Sequence, residues 1–448
     1  MGSIPIPSSL SYIPSFWEIT FFVILFSVSL FAQEKLSLSI DQAIELGLKN
    51  SKMLHSSLMK VKSAEAKIKE ANAMRLPSLK LSARYTRLSK VDPFVITTPF
   101  GSFPIMPGIY DNYATQLSLS QPLFMGFRLS ENVNLNENLS NATNEEFNKD
   151  KSELLFNIKN SYWNVYKAQQ FKKVMDETVE QMKARLTDAK NLEKAGMMTK
   201  NDVLKLEVQY SNILYQQIEA ENAVKLSIIA LNNTIGIPLQ TQTEITSQVN
   251  LNVFQTEELS LLISKAIENR PEIKAADSRI RASESGVTLA QSSWYPQIAL
   301  YGNYYYSKPN QRIMPTQNKF DGTWDAGIML NMNVWDWLTT KHQTDQALAQ
   351  LEQAKDGLGL IKDGITLEVT QNYLNVNQAK RKIDIAKLNV EQAEENLRVT
   401  SEKFKNGYST SSELIDAETA LISAKTNYNT SIVDYELAKA KLEKSIGK

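Results

Sequence analysis

The chain has no cysteine among its 448 residues. That absence excludes disulfides, thiolate metal sites, cysteine nucleophiles and a lipidated N-terminal cysteine together. It also lacks an excess of either charge: 49 basic residues stand against 49 acidic ones. No global field therefore draws it to nucleic acid or to an acidic membrane face. Histidine is nearly missing. His55 and His342 both fall in predicted helices, without ligand-spaced partners. There is no phosphate-binding glycine loop and no His-Glu-x-x-His. The carboxylates are many, but none is paired in a way that sets it apart from a solvated helix face. The chain does not read as an enzyme, and neither a cofactor nor a metal site is expected.

Long apolar runs are also scarce. The one clear case, Ile19 to Phe31, is too short to cross a hydrocarbon core of roughly 30 Å with ease. It ends in Ser29-Leu30-Phe31-Ala32 before polar Gln33-Glu34-Lys35. Residues 1–32 are therefore read as an export signal cleaved after Ala32, although residues 1–18 hold no Lys or Arg. No other stretch is a candidate membrane helix, so further membrane contact must come from strands.

What the chain does have is a duplication. Leu76-Pro77-Ser78-Leu79 recurs as Tyr295-Pro296-Gln297-Ile298, 219 residues on, and Lys49-Asn50-Ser51-Lys52 faces Glu268-Asn269-Arg270-Pro271 at the same offset. Farther along the offset is 211. It pairs Asn160-Ser161-Tyr162-Trp163 with Gln371-Asn372-Tyr373-Leu374, Lys194-Ala195-Gly196 with Lys405-Asn406-Gly407, and Ile235-Gly236 with Ile446-Gly447. The change of offset places one length difference between the strands of the first copy. The first repeat is read as 33–236, with a helix, strands near 78–88 and 112–121, a long helix 127–195 and a helix 199–235. The second is 258–448, with a helix, strands near 297–306 and 323–334, a long helix 338–406 and a helix 410–446. A Thr-, Gln- and Asn-rich linker, 237–257, joins them.

The strands alternate with period two. Leu79, Leu81, Ala83 and Tyr85 oppose Lys80, Ser82, Arg84 and Thr86, and Trp324, Ala326, Ile328 and Leu330 oppose Asp325, Gly327 and Asn331. About ten residues is the length of a tilted transmembrane strand. Aromatics gather at the ends, Phe124, Trp294, Trp335 and Trp337 at one and Tyr304, Tyr305, Tyr306 and Trp324 at the other, as interface girdles do. Four strands cannot close a barrel and an open edge cannot sit in lipid, so several chains must share one barrel. Three copies would supply twelve strands, within the known range. The two long helices carry no proline and would each reach roughly 100 Å. Gly357, Gly359 and Gly364 mark a weak place or bend in the second. Val203, Leu206, Tyr210, Ile213, Gln217, Ala220, Val224, Ser227 and Leu231 step by three and four, and the series from Leu414 to Leu442 repeats them. That is a heptad seam, hence coiled-coil packing.

The duplication, the Leu76-Pro77-Ser78-Leu79 strand start, the Gln121-Pro122-Leu123-Phe124 turn, Asn269-Arg270-Pro271-Glu272-Ile273 and the helix breaks at Gly196 and Gly407 together resemble the TolC family of outer-membrane efflux proteins. The resemblance spans essentially the whole chain after the signal. It implies a mainly α fold with a small β part: a trimeric twelve-stranded β-barrel, four strands per protomer, continuous with a periplasmic α-helical coiled-coil barrel. It implies a passive exit duct in the outer-membrane lipid, fed by an inner-membrane pump through a periplasmic adaptor, with type I protein secretion as the alternative. A periplasmic scaffold without a pore is the rival class. By the same resemblance the adaptor meets tips at Gly196, Met197, Met198 and Thr199 and at Gly407, Tyr408, Ser409 and Thr410. Glu413, Asp416 and Asp202 would line the periplasmic mouth. Thr410-Ser411-Ser412-Glu413 also reads as a capping box. Ser409 stands where some members carry an arginine that locks the mouth, and in copy two Asn333 and Trp337 face Pro122 and Gly126. The apolar segment from Val91 to Pro107 is expected to fold over the external opening.

Overall fold

The computed structural model describes residues 35–90, 92–106, 108–247, 249 and 257–448. The proposed signal at 1–32 and residues 250–256 of the linker lie outside them.

Each copy runs helix, strand, strand, long helix, tip, helix. The first contains β1 (Leu36–Leu38), α1 (Ile40–Asn50), α2 (Lys52–Ala73), β2 (Ser78–Arg87), β3 (Phe94–Thr98), β4 (Gly101–Met106), β5 (Asp111–Met125), α3 (Arg128–Lys194) and α4 (Lys200–Ile235). After β6 (Thr243–Ile245) come α5 (Leu259–Asn269), α6 (Pro271–Gln291), β7 (Gln297–Lys308), β8 (Asp321–Asn331), α7 (Thr339–Lys405) and α8 (Ser411–Ser445). The helix expected ahead of each strand is two helices. The breaks fall at Ser51, whose hydroxyl caps α2, and before Pro271, which opens α6 where a missing N–H costs nothing. The linker contributes β6, which pairs in parallel with β1.

Strands β2, β5, β7 and β8 form one antiparallel sheet in that order. Its register puts the apolar positions in rows: Leu81 faces Leu117 and Leu117 faces Tyr304, while Leu300 faces Ile328. One face thus presents Leu79, Leu81, Leu119, Leu300, Tyr304, Trp324, Ile328 and Leu330, all exposed in the single chain. The other face is polar. There Gln116 donates to Asn303 at 3.1 Å and Asn303 donates to Asp325 at 2.9 Å. Tyr305 belongs to this polar face rather than to the outer girdle, with the Arg312 guanidinium 4.1 Å over its ring. Strand β5 runs on through Pro122 to Met125, and the register shifts at Pro122 where the ladder loses a donor.

The six longer helices form one row, with α1 and α5 packed against it. Beside the sheet its order is α2, α3, α6, α7; toward the tips it is α4, α3, α8, α7. The long helices α3 and α7 run through both levels, 67 residues each, or about 100 Å. Helix α7 passes Gly357, Gly359 and Gly364 as one uninterrupted helix, because its neighbours hold it on one side. The seam residues Val203, Leu206, Ile213, Ala220 and Leu231 are buried, and so are Leu414, Ala417, Leu421, Ala424, Tyr435 and Leu442. The cores repeat as the sequence does: Ile158, Tyr162, Leu231 and Ile235 pack in the first copy, and Val369, Tyr373, Leu442 and Ile446 in the second.

Candidate functional site

Two places bear on the expected duct: the polar face of the sheet and the tips of the helical row. Both tips are built alike. Gly196 and Gly407 adopt left-handed φ of 74° and 76°. The next amide closes back, Met197 N donating to Leu192 O at 2.9 Å and Tyr408 N to Lys403 O at 2.8 Å. These are Schellman closures. Thr199 and Thr410 then cap the returning helices, each hydroxyl accepting the amide three residues on at 3.2 Å. The turns leave Met197 and Tyr408 at the apex, 74% and 83% exposed, while Met198 packs against the buried seam.

The three acids expected at the mouth have three different surroundings. Glu413 completes a capping box: its carboxylate accepts the Thr410 amide at 2.9 Å and the Ser409 hydroxyl at 2.6 Å. Ser409, first among the causes, and the Thr410 amide hold Glu413 below the usual carboxylate range. Asp202 points across to the other hairpin. It accepts Ser411 Oγ at 2.7 Å and Thr199 Oγ1 at 2.6 Å, which keep its carboxyl low. Lys205 donates to Ser412 at 3.3 Å beside it. Asp416 is exposed, and among the described residues it has no hydrogen-bond or ion-pair partner. The structure thus brings Asp202 and Ser411 together as a tie between tips, turns Glu413 back on its own helix, and leaves Asp416 free.

Among the charged contacts that sequence reasoning missed, two stand out by their burial. Arg185 on α3 meets Glu418 on α8 at 2.9 Å, with the Glu418 side chain 2% exposed. Burial pushes the Glu418 carboxyl up, against the pull of Arg185. The contact is close but poorly aligned, and neither oxygen has a well-directed hydrogen bond. The signal available was position: Glu418 directly follows seam residue Ala417. The second contact explains part of the Asn269-Arg270-Pro271-Glu272 motif. Buried Arg270 holds Glu272 at 2.8 and 3.0 Å, Glu368 at 2.9 Å and the Ser445 carbonyl at 3.2 Å, pinning the α5–α6 junction to α7 and α8.

Among the described residues no cluster of His, Asp or Glu is placed to hold a metal ion, and no helix is long and apolar enough to cross a membrane. The polar sheet face adds Lys80 and Arg84 on β2 and Asp321 and Asp325 on β8. The two acids are paired with Lys319 and Arg312.

The family model described as outer membrane efflux protein matches residues 43–237 and again 262–448. The alkaline protease secretion protein AprF of Pseudomonas aeruginosa is 21% identical over 92% of this chain and 85% of its own length. The toxin and drug export protein A of Aggregatibacter actinomycetemcomitans is 23% identical over 70% of this chain and 67% of its own. Among solved structures, CusC superposes with a TM-score of 0.78 at 16% identity, covering 94% of this chain and 96% of that one.

Proposed function

The chain belongs to the outer membrane efflux protein family, and from that premise we propose that three copies close into one duct that receives cargo from a periplasmic adaptor and an inner-membrane pump. The family consists of channels of the outer membrane with a helical part in the periplasm, and this chain is one of them. The observation that carries the reading is that one pair of edges stays open from sheet to tip. The sheet ends in β2 and β8, the upper helical row in α2 and α7, the lower row in α4 and α7. An open strand edge in hydrocarbon leaves amides unpaired, at several kcal/mol each, so β8 must meet β2 of another copy. The helical edges fit the same closure. Helix α4 exposes Val208, Tyr215, Ile218, Leu226 and Ile229, and α7 exposes Leu360, Leu367, Leu374, Ile385 and Leu388. Ile218 and Leu388 stand at nearly equal heights above the tips. The contact is head-to-tail, a kind that closes into a ring when the rotation between copies is a whole fraction of a turn.

In that ring the apolar sheet face meets lipid and the polar face lines the barrel. Met197 and Tyr408 supply apolar contacts for the adaptor. Asp416 is the mouth acid free to face the passage, with Glu413 contributing what its cap leaves over. Conductance of the detergent-purified protein in a planar bilayer tests this. Steady cation-preferring conductance is expected, with trivalent-cation block weakened more by Asp416→Ala than by Glu413→Ala. A folded trimer that never conducts would sink the reading. The second reading, protein secretion, is favoured by the long match to a protease secretion protein. It predicts that secretion of a protein substrate, rather than drug tolerance, fails on deletion.

A further inference from the structure

The β3–β4 segment, expected to be a loop, is a hairpin that its own chain leaves unsupported. The two strands pair from Thr98 and Gly101 back to Phe94 and Met106, and among the described residues neither packs more than marginally on any other element. From Phe94 to Tyr110 there is no charged residue. Phe94, Val95, Ile96, Phe103 and Ile105 are exposed, and Phe100 at the turn is 94% exposed. At the base the chain is held firmly. Arg87 and Asp111, facing each other on β2 and β5, pair at 2.7 Å, and Tyr85 donates to Asp111 at 2.8 Å.

Lipid does not suit this hairpin. It begins beyond the Tyr85, Tyr113, Phe320 and Tyr306 rings that cluster at the outer end of the sheet, and a two-stranded hairpin in hydrocarbon would leave both edges unpaired. Water does not suit it either, since an uncharged cluster of this kind seeks a partner. Another copy does. The hairpin rises from β2, the strand at the subunit boundary. Twelve strands about 4.8 Å apart, tilted by about 40°, make a barrel roughly 12 Å in radius. A six-residue strand reaches about 20 Å, enough to bring the turn to the axis.

We propose that the three β3–β4 hairpins converge over the outer end of the duct and form an apolar cap, each Phe100 tip seated against those of the other two copies. The cap hides the apolar side chains from water while its backbone edges stay hydrated, and it narrows the exit, still passing ions, until cargo parts it. This rests on the trimeric reading above.

The absence of cysteine makes the test direct. Phe100→Cys, oxidised mildly in the intact trimer, should give disulfide-linked dimers, because that bond needs Cα atoms within about 7 Å. Ile218→Cys/Leu388→Cys across the helical seam is the control for the trimer itself. A linked seam with no link from Phe100→Cys or Phe103→Cys overturns the cap alone, whereas loss of both links removes the trimer on which it stands. Deleting residues 93–107 should raise single-channel conductance severalfold, and unchanged conductance would equally overturn the cap.

Discussion

Helices α3 and α7 are copies of one element with equal lengths, yet α3 lies inside the row and α7 on its rim. Of the large apolar side chains on α3, only Leu139 is exposed, whereas α7 exposes Leu348, Leu360, Leu367, Leu374, Ile385 and Leu388. Where α3 has Glu146 and Glu153, which pair with Arg279 and Lys444, α7 has Gly357 and Gly364 with open space beside them. The turns that launch the two helices differ in the same sense. Gly126 is hemmed in, while Trp337, at a φ of 53°, is 81% exposed. A duplicated sequence has kept one backbone and rewritten the faces according to whether a helix lies inside the row or at its edge. In the proposed trimer that rim meets a second copy, which accounts for its unfinished look in a single chain.

Exchanging the launch turns should break the comparison most sharply. A Cβ at Gly126 would lie 2.4 Å from the Ser292 carbonyl oxygen and 2.9 Å from Tyr295 Cβ, and the backbone oxygen has no room to give. Gly126→Trp is expected to cost more than about 4 kcal/mol, read as loss of folded protein or a lowered melting temperature. Trp337→Gly should stay within about 1 kcal/mol, since the ring is mostly exposed and glycine suits the positive φ. Equal effects from the two changes would show that position in the row does not matter.

The interior charge pair comes next. Arg185→Met leaves Glu418 buried without its partner, a loss of about 3–5 kcal/mol at neutral pH. The sign with pH follows from the direction of the shift. A carboxyl raised by burial contributes stability below its ordinary range, and loses it as pH rises through the raised value. Without Arg185 the carboxyl is raised further, so the defect should shrink as the medium is acidified toward the ordinary carboxylate range. Denaturation midpoints at two pH values check this, and a defect independent of pH would argue against a buried charge as the cause.

The backbone plan was legible in the sequence because each element carried a period. Two-residue alternation marked the four sheet strands, the heptad marked α4 and α8, and one offset aligned Ile158 with Val369 and Ile235 with Ile446. What escaped was decided between elements. The Asp202–Ser411 tie joins residues 209 apart, and no local pattern announces it. Asp202 read as a mouth acid for that reason, while Glu413, whose cap lies within its own four residues, could be read both ways. The β3–β4 hairpin was hidden by Pro99 and Pro104, which interrupt alternation, and by a lack of polar positions to alternate with.

The smallest effect is the most discriminating, because its sign reports what lies against the rim. Gly364 shares a face of α7 with Leu360 and Leu367, four residues before it and three after, and its Cβ position is empty within the chain. In a protomer separated in detergent, Gly364→Ala should stabilise the helix by about 1 kcal/mol, since alanine is the better helix former. In the assembled trimer a neighbouring copy packed over that face would take the added methyl as a clash, and the gain should vanish or reverse. Helix melting measured on both forms separates the cases. The same gain in both would mean that this stretch of α7 faces solvent or the lumen, and would move the subunit contact to the Leu374–Leu388 stretch alone.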